Sequence, residues 1–298
     1  MTTSPNYTLV ADAAERLFAD FADPQRITSA ADDSWQSPLW QALEDNGMTL
    51  AWLPESLGGA GMGLGEGFAL LQSAGRYAVA VPLAESLLAA WLLGAAGIPA
   101  PAGPMAVAPM RPDDRVALTS DGTLRGIARR VRFAHSVQHI VVLAHGADGA
   151  TVALVRAQDV RLRSRNGLSG DLLADVTFDG VRPLASARSD VPDIAVQLSF
   201  MGATVRSLQI AGALQSMLAR SVEYAGDRIA FGKPIAKFQA VQHMLAILAA
   251  ESAAATAAAT SAADSLASGT QVTDGVFLEV AAAKIRCGEA AEKGCALA

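Results

Sequence analysis

One short stretch in the last third of the chain carries the residues best suited to chemistry. Arg228 stands at the end of a long helical pattern, the segment Phe231–Pro234 interrupts that pattern with a glycine and a proline, and Gln239 and Gln242 lie one turn apart in the helix that follows. Arginine makes forked, charge-assisted hydrogen bonds to phosphate oxygens, and an amide can both donate and accept. The stretch could therefore hold a phosphate-bearing ligand at a corner between antiparallel helices.

An ordinary helix hairpin is the alternative interpretation of the same stretch. In that case Arg228 caps its own helix and Phe231 fills the core. Polar residues at the edge of a core are structural by default, so the residue types alone leave both interpretations open.

The composition excludes several classes of protein. The chain has 298 residues, 51% of them hydrophobic and 17% charged, with a net charge of −6. This balance predicts a compact globular protein and not a disordered one, and the acidic charge argues against a nucleic-acid partner. The cysteines, Cys287 and Cys295, are too few for a disulfide framework and have no metal-type cluster around them. We therefore predict no metal site and a reduced, cytoplasmic location.

Neither the start of the chain nor its most apolar run predicts a membrane or secretory segment. Residues Met1–Pro5 lack a basic region followed by an apolar core, so no signal peptide is expected. The run 82–96 contains Glu85, is closed by a glycine and a proline, and is too short to span a bilayer.

The pattern along the chain predicts an α+β multi-domain protein. Helical periodicity over 8–22, 64–80 and 82–96, with a further helix capped near Ser37, predicts an N-terminal helical domain over 1–112. The glycine-rich stretch 53–67 lacks the strand-then-helix setting of a dinucleotide fingerprint and is interpreted as a loop between helices. The segment 97–114 is rich in Pro, Ala and Gly and is interpreted as a linker.

The remaining two domains differ sharply in pattern. Over 113–190 short β-rich runs are joined by Asp-Gly turns, which predicts a small antiparallel β-barrel or sandwich. Over 191–298 the pattern predicts an antiparallel helical bundle with helices over 195–226 and 236–267 and a third capped at Thr273 or Asp274. A glycine within the first of these helices, Gly212, is best explained by close helix packing.

The run RIAFGKPIAKFQAVQHMLAILAAE resembles the flavin-contacting helical hairpin of the acyl-CoA dehydrogenases. The residues that match that family's spacing are Arg228, Phe231-Gly232, Phe238-Gln239 and Gln242. The run WLPESLGGAGMG resembles the family's N-terminal loop, and the order helices, strands, helices is the family's architecture. The resemblance implies FAD as cofactor, contacted by Arg228, Phe231, Gln239 and Gln242 across a subunit interface.

The resemblance also implies a reaction, but the chain lacks an obvious catalytic base. In the family a carboxylate removes the α-proton of an acyl-CoA while the β-hydrogen leaves as hydride to the flavin. The usual base follows a glycine-rich loop, and the chain stops where that loop should begin, so it is C-terminally short relative to the family. An alternative base position falls on Arg206, and Glu223 and Glu251 are expected to be solvated or paired. We therefore assign no catalytic residue.

The middle domain departs from the family beside the flavin ring. The segment RRVRFAHSVQHIVV places Arg130, Arg132 and Phe133 where the family has Trp-Ile-Thr or Trp-Ile-Ser. These basic residues could meet the phosphates of CoA, or they could form a solvated strand edge that discourages pairing. His135 and His139 would share a face of a strand, but no third metal ligand is evident.

Three functions remain open from the sequence. The first is an FAD-dependent acyl-CoA dehydrogenase subunit that uses an acyl-CoA substrate and an electron-transfer flavoprotein as acceptor. The second is a non-catalytic subunit that pairs with an active relative and shares its flavin. The third is a flavin-free helical scaffold. A small-residue face over 240–263 predicts a homo- or hetero-oligomer built on the C-terminal helices.

Overall fold

A computed structural model provides the fold, and it describes residues 5–22, 36–109, 111, 113–167, 172–269 and 273–298. Residues 1–4 lie outside this range, so most of the segment that led us to predict no signal peptide is not described. The helices that precede the sheet are α1 (Pro5–Phe21), α2 (Gln36–Asp45), α3 (Leu64–Arg76) and α4 (Leu83–Ala95).

The middle of the chain forms one eight-stranded sheet. Its strands are β1 (Met105–Ala108), β2 (Arg115–Leu118), β3 (Leu124–Arg132), β4 (His139–Gly146), β5 (Gly149–Arg156), β6 (Arg161–Asn166), β7 (Leu172–Val181) and β8 (Ala185–Arg188). Their order in the sheet is β6-β7-β3-β2-β4-β5-β8, and β1 pairs with β4.

Three long helices and a small hairpin complete the chain. They are α5 (Ile194–Asp227), the hairpin strands β9 (Ile229–Ala230) and β10 (Lys233–Pro234), α6 (Gln239–Ser268) and α7 (Asp274–Leu297). The Thr273 side chain accepts a hydrogen bond from the Val276 N–H, so the predicted cap of the last helix is confirmed. The predicted order of helices, strands and helices is confirmed as well.

By compactness the chain divides into two units. One comprises 1–41, 64–80 and 203–298, which is mostly helical; the other comprises 42–63 and 81–202 and contains the sheet. The predicted division into three domains at residues 112 and 190 stays a prediction.

The sheet is organised around a single apolar cluster. Side chains from β1 to β5 and β7 meet in it, including Val116, Ile140, Val176 and Phe178, each at most 2% exposed. Phe178 is among the largest side chains of the molecule that are fully buried. Burial of this kind stabilises a sheet by roughly 25 cal/mol for each Å² of apolar surface removed from water.

One strand lies inside the segment that we predicted to be a linker, so that part of the prediction is wrong. Residues Met105–Ala108 are buried throughout and pair parallel with His139–Val142. The Ser86 hydroxyl anchors this strand, because it accepts from the Met105 N–H at 3.0 Å and lies 3.3 Å from the Met105 carbonyl oxygen. The sheet is therefore mostly antiparallel with two parallel pairings, β1 with β4 and β2 with β4.

Glycines allow a close helix crossing in the helical unit. A Cβ at Gly212 of α5 would lie 2.1 Å from the Gln72 carbonyl oxygen of α3, and one at Gly75 would lie 2.3 Å from the Gln209 carbonyl oxygen. Neither position has room for a methyl group. The predicted role of Gly212 in close helix packing is confirmed.

Helix α6 packs along α7 and buries small residues, among them Ala255, Ala259 and Ala262. Part of the small-residue face that we expected to need a partner is therefore covered by the chain itself. By length and composition alone α6 is also apolar enough to cross a membrane, a criterion that core helices pass as well. The prediction that the chain has no membrane span stays a prediction.

Candidate functional site

The end of α5 and the start of α6 are held together by the β9–β10 hairpin. The Arg228 N–H continues the helix by donating to the Tyr224 carbonyl at 2.8 Å, and the Arg228 carbonyl accepts from the Ile235 N–H at 2.9 Å. Ala230 pairs with Lys233 across the hairpin. These backbone bonds place Arg228 beside the segment that leads into Gln239.

The tip of the hairpin carries an aromatic residue in an unfavourable backbone conformation. Phe231 has φ 52° and Gly232 has φ 80°, the signs that a type I′ turn requires at its two central residues. Glycine adopts this region freely, whereas a side chain there costs about 1–2 kcal/mol. Phe231 is 96% exposed, and its ring meets Phe238 edge-on with the ring centres 6.2 Å apart. The strain is therefore not offset by burial within this chain.

Polar side chains on either side of the hairpin are accessible to a ligand. The side chains of Arg228 and Gln239 are exposed, and neither makes a hydrogen bond or an ion pair within the described residues. The Gln242 side chain braces the hairpin by donating from Nε2 to the Ala236 carbonyl at 2.9 Å, which leaves its amide oxygen as an acceptor. The alternative in which Phe231 fills the core is wrong, because the ring lies in solvent.

Lysine and phenylalanine stiffen the second arm of the hairpin. The Lys233 Nζ lies 4.4 Å from the centre of the Phe238 ring, a cation–π distance. This contact engages Lys233, whereas Arg228 and Lys237 are exposed cations without a hydrogen bond or an ion pair among the described residues. A guanidinium, an amide and an exposed ring at one corner are groups that fit a phosphate-bearing cofactor.

An apolar cavity adjoins the hairpin, and no motif in the sequence indicates it. It is open to solvent, has a volume of about 460 Å³ and lies between the end of α5, the start of α6 and the end of α7. Its walls include Tyr224, Ile235, Met244 and Leu297, with Arg220 as its charged residue. Its residues come from three separated segments, so their convergence depends on helix packing.

The candidate acids of the helical unit are engaged or solvated. Glu251 is buried and forms ion pairs with Arg286 and with Lys293, the latter at 3.0 Å. Glu223 is exposed, and Arg206 donates to the Gln209 amide oxygen at 2.6 Å. The expectation that Glu223 and Glu251 are solvated or paired is therefore confirmed.

The basic residues of the middle domain lie at the end of β3. Strand β3 pairs with β2 only over Leu124–Ile127 and with β7 as far as Arg132, so the interpretation of Arg130 and Arg132 as a strand edge stays a prediction. A bulge between Ala128 and Val131 interrupts the ladder at Arg130. Arg132 forms an ion pair with the buried Glu85 at 3.4 Å and lies over the Phe133 ring at 5.7 Å.

The two histidines do not share a strand, so that prediction is wrong. Phe133 has φ 56° and begins a turn closed by the Ser136 N–H and the Phe133 carbonyl, which places His135 in the turn and His139 at the start of β4. The His135 Nε2 lies 3.1 Å from the Ser164 hydroxyl. Burial, and then the nearby Arg156, lower the pKa of His139. No metal-ligand cluster occurs among the described residues.

Comparisons with known proteins agree with this architecture. Residues 198–298 match the family model for the C-terminal domain of acyl-CoA dehydrogenases. The chain is 30% identical over 243 residues to the acyl-CoA dehydrogenase FadE27 of Mycobacterium tuberculosis; the match covers 74% of this chain and 65% of that protein. The chain therefore spans somewhat less than two thirds of this curated relative.

Two solved structures are similar over nearly the whole chain. The ChsE4-ChsE5 complex from Mycobacterium tuberculosis matches with a TM-score of 0.85 and 26% identity, covering 99% of this chain and 86% of the other. The Tcur3481-Tcur3483 steroid ACAD G363A variant matches with a TM-score of 0.82 and 27% identity, covering 98% of this chain and 85% of the other.

Proposed function

Because the chain belongs to the acyl-CoA dehydrogenase family, we propose that it is a subunit of an FAD-dependent enzyme that dehydrogenates an acyl-CoA thioester between its α and β carbons. The observation that carries the proposal is the corner between α5 and α6, where the exposed Arg228 and the exposed, strained Phe231 have little structural use within the described chain. Strain that persists at a surface is typical of binding sites.

Four residues at or beside the hairpin contribute to binding the cofactor in this proposal. Arg228 supplies a permanent positive charge for the pyrophosphate, and Gln239 supplies an amide for the pyrophosphate or the ribityl chain. Phe231 packs against the cofactor or closes the site behind it, and Gln242 keeps the hairpin rigid while offering its amide oxygen. FAD, when bound, supplies the acceptor for the hydride. The hairpin reaches the cofactor from across a subunit interface, so the site requires a second subunit.

A non-catalytic partner subunit is the second candidate, and a specific observation favours it. The buried carboxylate Glu251 is neutralised by Arg286 and Lys293, and the other proposed base position holds Arg206. In this case the chain lends its hairpin to a flavin shared with a related, active subunit. Two similar solved structures carry paired names, ChsE4-ChsE5 and Tcur3481-Tcur3483, which supports a heteromeric arrangement. An acyl-CoA substrate, an electron-transfer flavoprotein as acceptor and a cytoplasmic location belong to the first proposal, the dehydrogenase subunit.

The visible absorption spectrum of the purified protein separates the candidates. An enzyme that functions alone binds FAD as a homo-oligomer and shows the flavin absorption bands when it is expressed without a second kind of subunit. A partner subunit shows them after co-expression with a related, complete subunit. A protein that is colourless in both preparations is a flavin-free scaffold, and the proposal is then rejected.

Replacement of Arg228 tests the residue that carries the proposal. Loss of one charge-assisted contact costs roughly 1.5–3 kcal/mol, so Arg228→Ala is expected to lower flavin affinity by about tenfold or more. Arg228→Lys is expected to restore part of it, since lysine keeps the charge and loses the fork. Flavin content per subunit after gel filtration is the measurement, with helical circular dichroism as the fold check.

The matched control is Arg182→Ala, because Arg182 is also exposed and lies just after β7. It is expected to keep full flavin. An Arg228→Ala protein that keeps its flavin and melts at a lower temperature would show that Arg228 stabilises the bundle and does not bind the cofactor.

A further inference from the structure

Two strands of the sheet, β3 and β6, carry arginines on the face opposite the core, and β7 between them carries aspartates on that face. The pairing register puts Arg161 beside Thr177, Arg163 beside Asp175, and Arg125 beside Asp179. The core side chains Val176 and Phe178 alternate with these residues along β7 and therefore point the other way. We call this surface the arginine face; its members are Arg125, Arg130, Arg161, Arg163, Arg165, Asp175 and Asp179.

The aspartates of the arginine face neutralise only part of its charge. Arg165 pairs with Asp175 at 2.7 Å and Arg125 pairs with Asp179 at 3.2 Å. Arg161 and Arg163 are exposed and form no ion pair within the described residues. Arg130 is also exposed, and its backbone N–H donates to Asp175. Five arginines against two aspartates leave a positive surface on a chain whose net charge is −6.

Protection of a sheet edge explains part of this surface but not all of it. Strand β6 is the last strand in the sheet order, and charges on an edge strand discourage pairing with another chain. Strand β3 lies two strands further in, between β7 and β2. Arg125 is opposite Ala117 of β2 and Asp179 of β7 and therefore has no edge to protect, so a face that extends over three strands needs another explanation.

We propose that the arginine face docks an acidic surface of another protein. Exposed guanidiniums make bidentate bonds to carboxylates, and complementary charge steers two proteins into register. The Arg125–Asp179 pair is more than half exposed on both sides, so its arginine can exchange partners at little cost. The proposal goes beyond the flavin site and does not depend on it.

Other anionic partners fit the surface less well. Single-stranded nucleic acid is held by stacking on aromatic rings, and the arginine face contains none. The two aspartates would repel a continuous phosphate backbone, whereas they match a protein surface of mixed charge. A small phosphorylated ligand needs a concave site, which exposed strands do not provide.

The test uses the purified full chain and fluorescein-labelled poly-L-glutamate, with binding measured by fluorescence anisotropy. The wild-type protein is expected to bind at about 50 mM salt and to weaken at about 200 mM, because exposed charges are screened. Arg161→Glu combined with Arg163→Glu is expected to weaken binding by about tenfold or more. The neutral pair Arg161→Gln with Arg163→Gln is expected to give an intermediate loss.

Arg16→Glu combined with Lys284→Glu is the control, since both residues are exposed, both belong to the helical unit that does not contain the sheet, and the change in net charge is the same. The control is expected to bind within about twofold of the wild-type protein, as charges elsewhere on the surface are screened from the probe. An equal loss in the control overturns the proposal. So does tighter binding of the wild-type protein to a DNA duplex or to phosphatidylserine vesicles than to poly-L-glutamate.

Discussion

Among single residues, Phe231 shows most clearly how this molecule departs from what stability alone would select. A two-residue turn with both central residues left-handed is normally made from Asn-Gly or Gly-Gly. Here a phenylalanine takes the first position and is 96% exposed. The left-handed backbone conformation of Phe231 lowers the stability of the isolated chain. We attribute the presence of a phenylalanine at this position to contacts with the cofactor or with a partner.

Replacement of Phe231 by asparagine therefore separates stability from binding. Asparagine tolerates the left-handed region, so Phe231→Asn is expected to raise the free energy of unfolding by about 0.5–1 kcal/mol and to lower flavin content. Urea denaturation and the visible spectrum provide the two measurements. A less stable variant with unchanged flavin would mean that the ring stabilises the hairpin through Phe238.

His139 makes stability depend on pH. Its folded pKa is lowered from 6.5 by burial and by Arg156, and its Nδ1 is buried without a hydrogen-bond partner among the described residues. The fold favours the neutral ring, so this contribution is complete above the unfolded pKa and is lost as the pH falls below it. Between about pH 7 and about pH 5 the wild-type protein is expected to lose stability.

His139→Gln removes the titrating group and is the comparison for that experiment. Its free energy of unfolding, measured by urea denaturation at each pH, is expected to fall less steeply on acidification than that of the wild-type protein. Parallel curves for the two proteins would assign the pH dependence to other groups.

Among the secondary-structure elements, the crossing of α3 and α5 depends on the absence of side chains. A Cβ at Gly212 would overlap the Gln72 carbonyl oxygen and would lie 2.7 Å from the Arg76 backbone nitrogen. Backbone atoms of a helix cannot rotate away as a side chain can. The two helices must therefore separate if a methyl group is added.

Gly212→Ala is expected to lower the free energy of unfolding by about 1–3 kcal/mol, because the crossing becomes overpacked. Gly288→Ala in α7 is the matched control, since no atom lies within 4 Å of the position that its new Cβ would take. Alanine favours helix over glycine, so the control is expected to gain up to about 1 kcal/mol. Equal gains in the two variants, measured by thermal or urea unfolding, would refute the close crossing.

For the molecule as a whole, the helical unit leaves a large amount of apolar surface in contact with water. Exposed apolar side chains occur around the hairpin and along α7; they are Val222, Tyr224, Ile229, Phe231, Met244, Ile247, Phe277, Leu278 and Ile285. Surface of this kind usually marks an interface. We expect a dimer or a dimer of dimers built on the C-terminal helices.

Ile247→Glu tests that association. Ile247 is 48% exposed on α6, and a carboxylate buried in an apolar interface without a partner is strongly unfavourable. The variant is expected to shift the mass measured by light scattering at micromolar concentration toward the monomer. Leu184→Glu is the control, because Leu184 is also 48% exposed but lies in the other unit. A wild-type protein that is itself monomeric would contradict the prediction.

Features that depend on neighbours along the chain could be predicted from the sequence alone. Helical periodicity and cap chemistry are local, so the long helices and the Thr273 cap were predictable. A glycine within an otherwise helical pattern pointed to the crossing at Gly212. The spacing from Arg228 to Gln242 indicated the hairpin and its polar groups, because few residues separate them.

Features that depend on contacts between distant segments could not be predicted from the sequence and were found in the tertiary structure. Four apolar residues, Met105–Ala108, form a strand because β4 and the Ser86 hydroxyl lie beside them, and a segment rich in Pro and Ala does not indicate this. The interior position of β3 and the pairing of Glu251 with Arg286 and Lys293 are likewise non-local. Phe231 is a core residue by type, and its exposure follows from a backbone conformation that the closed hairpin imposes.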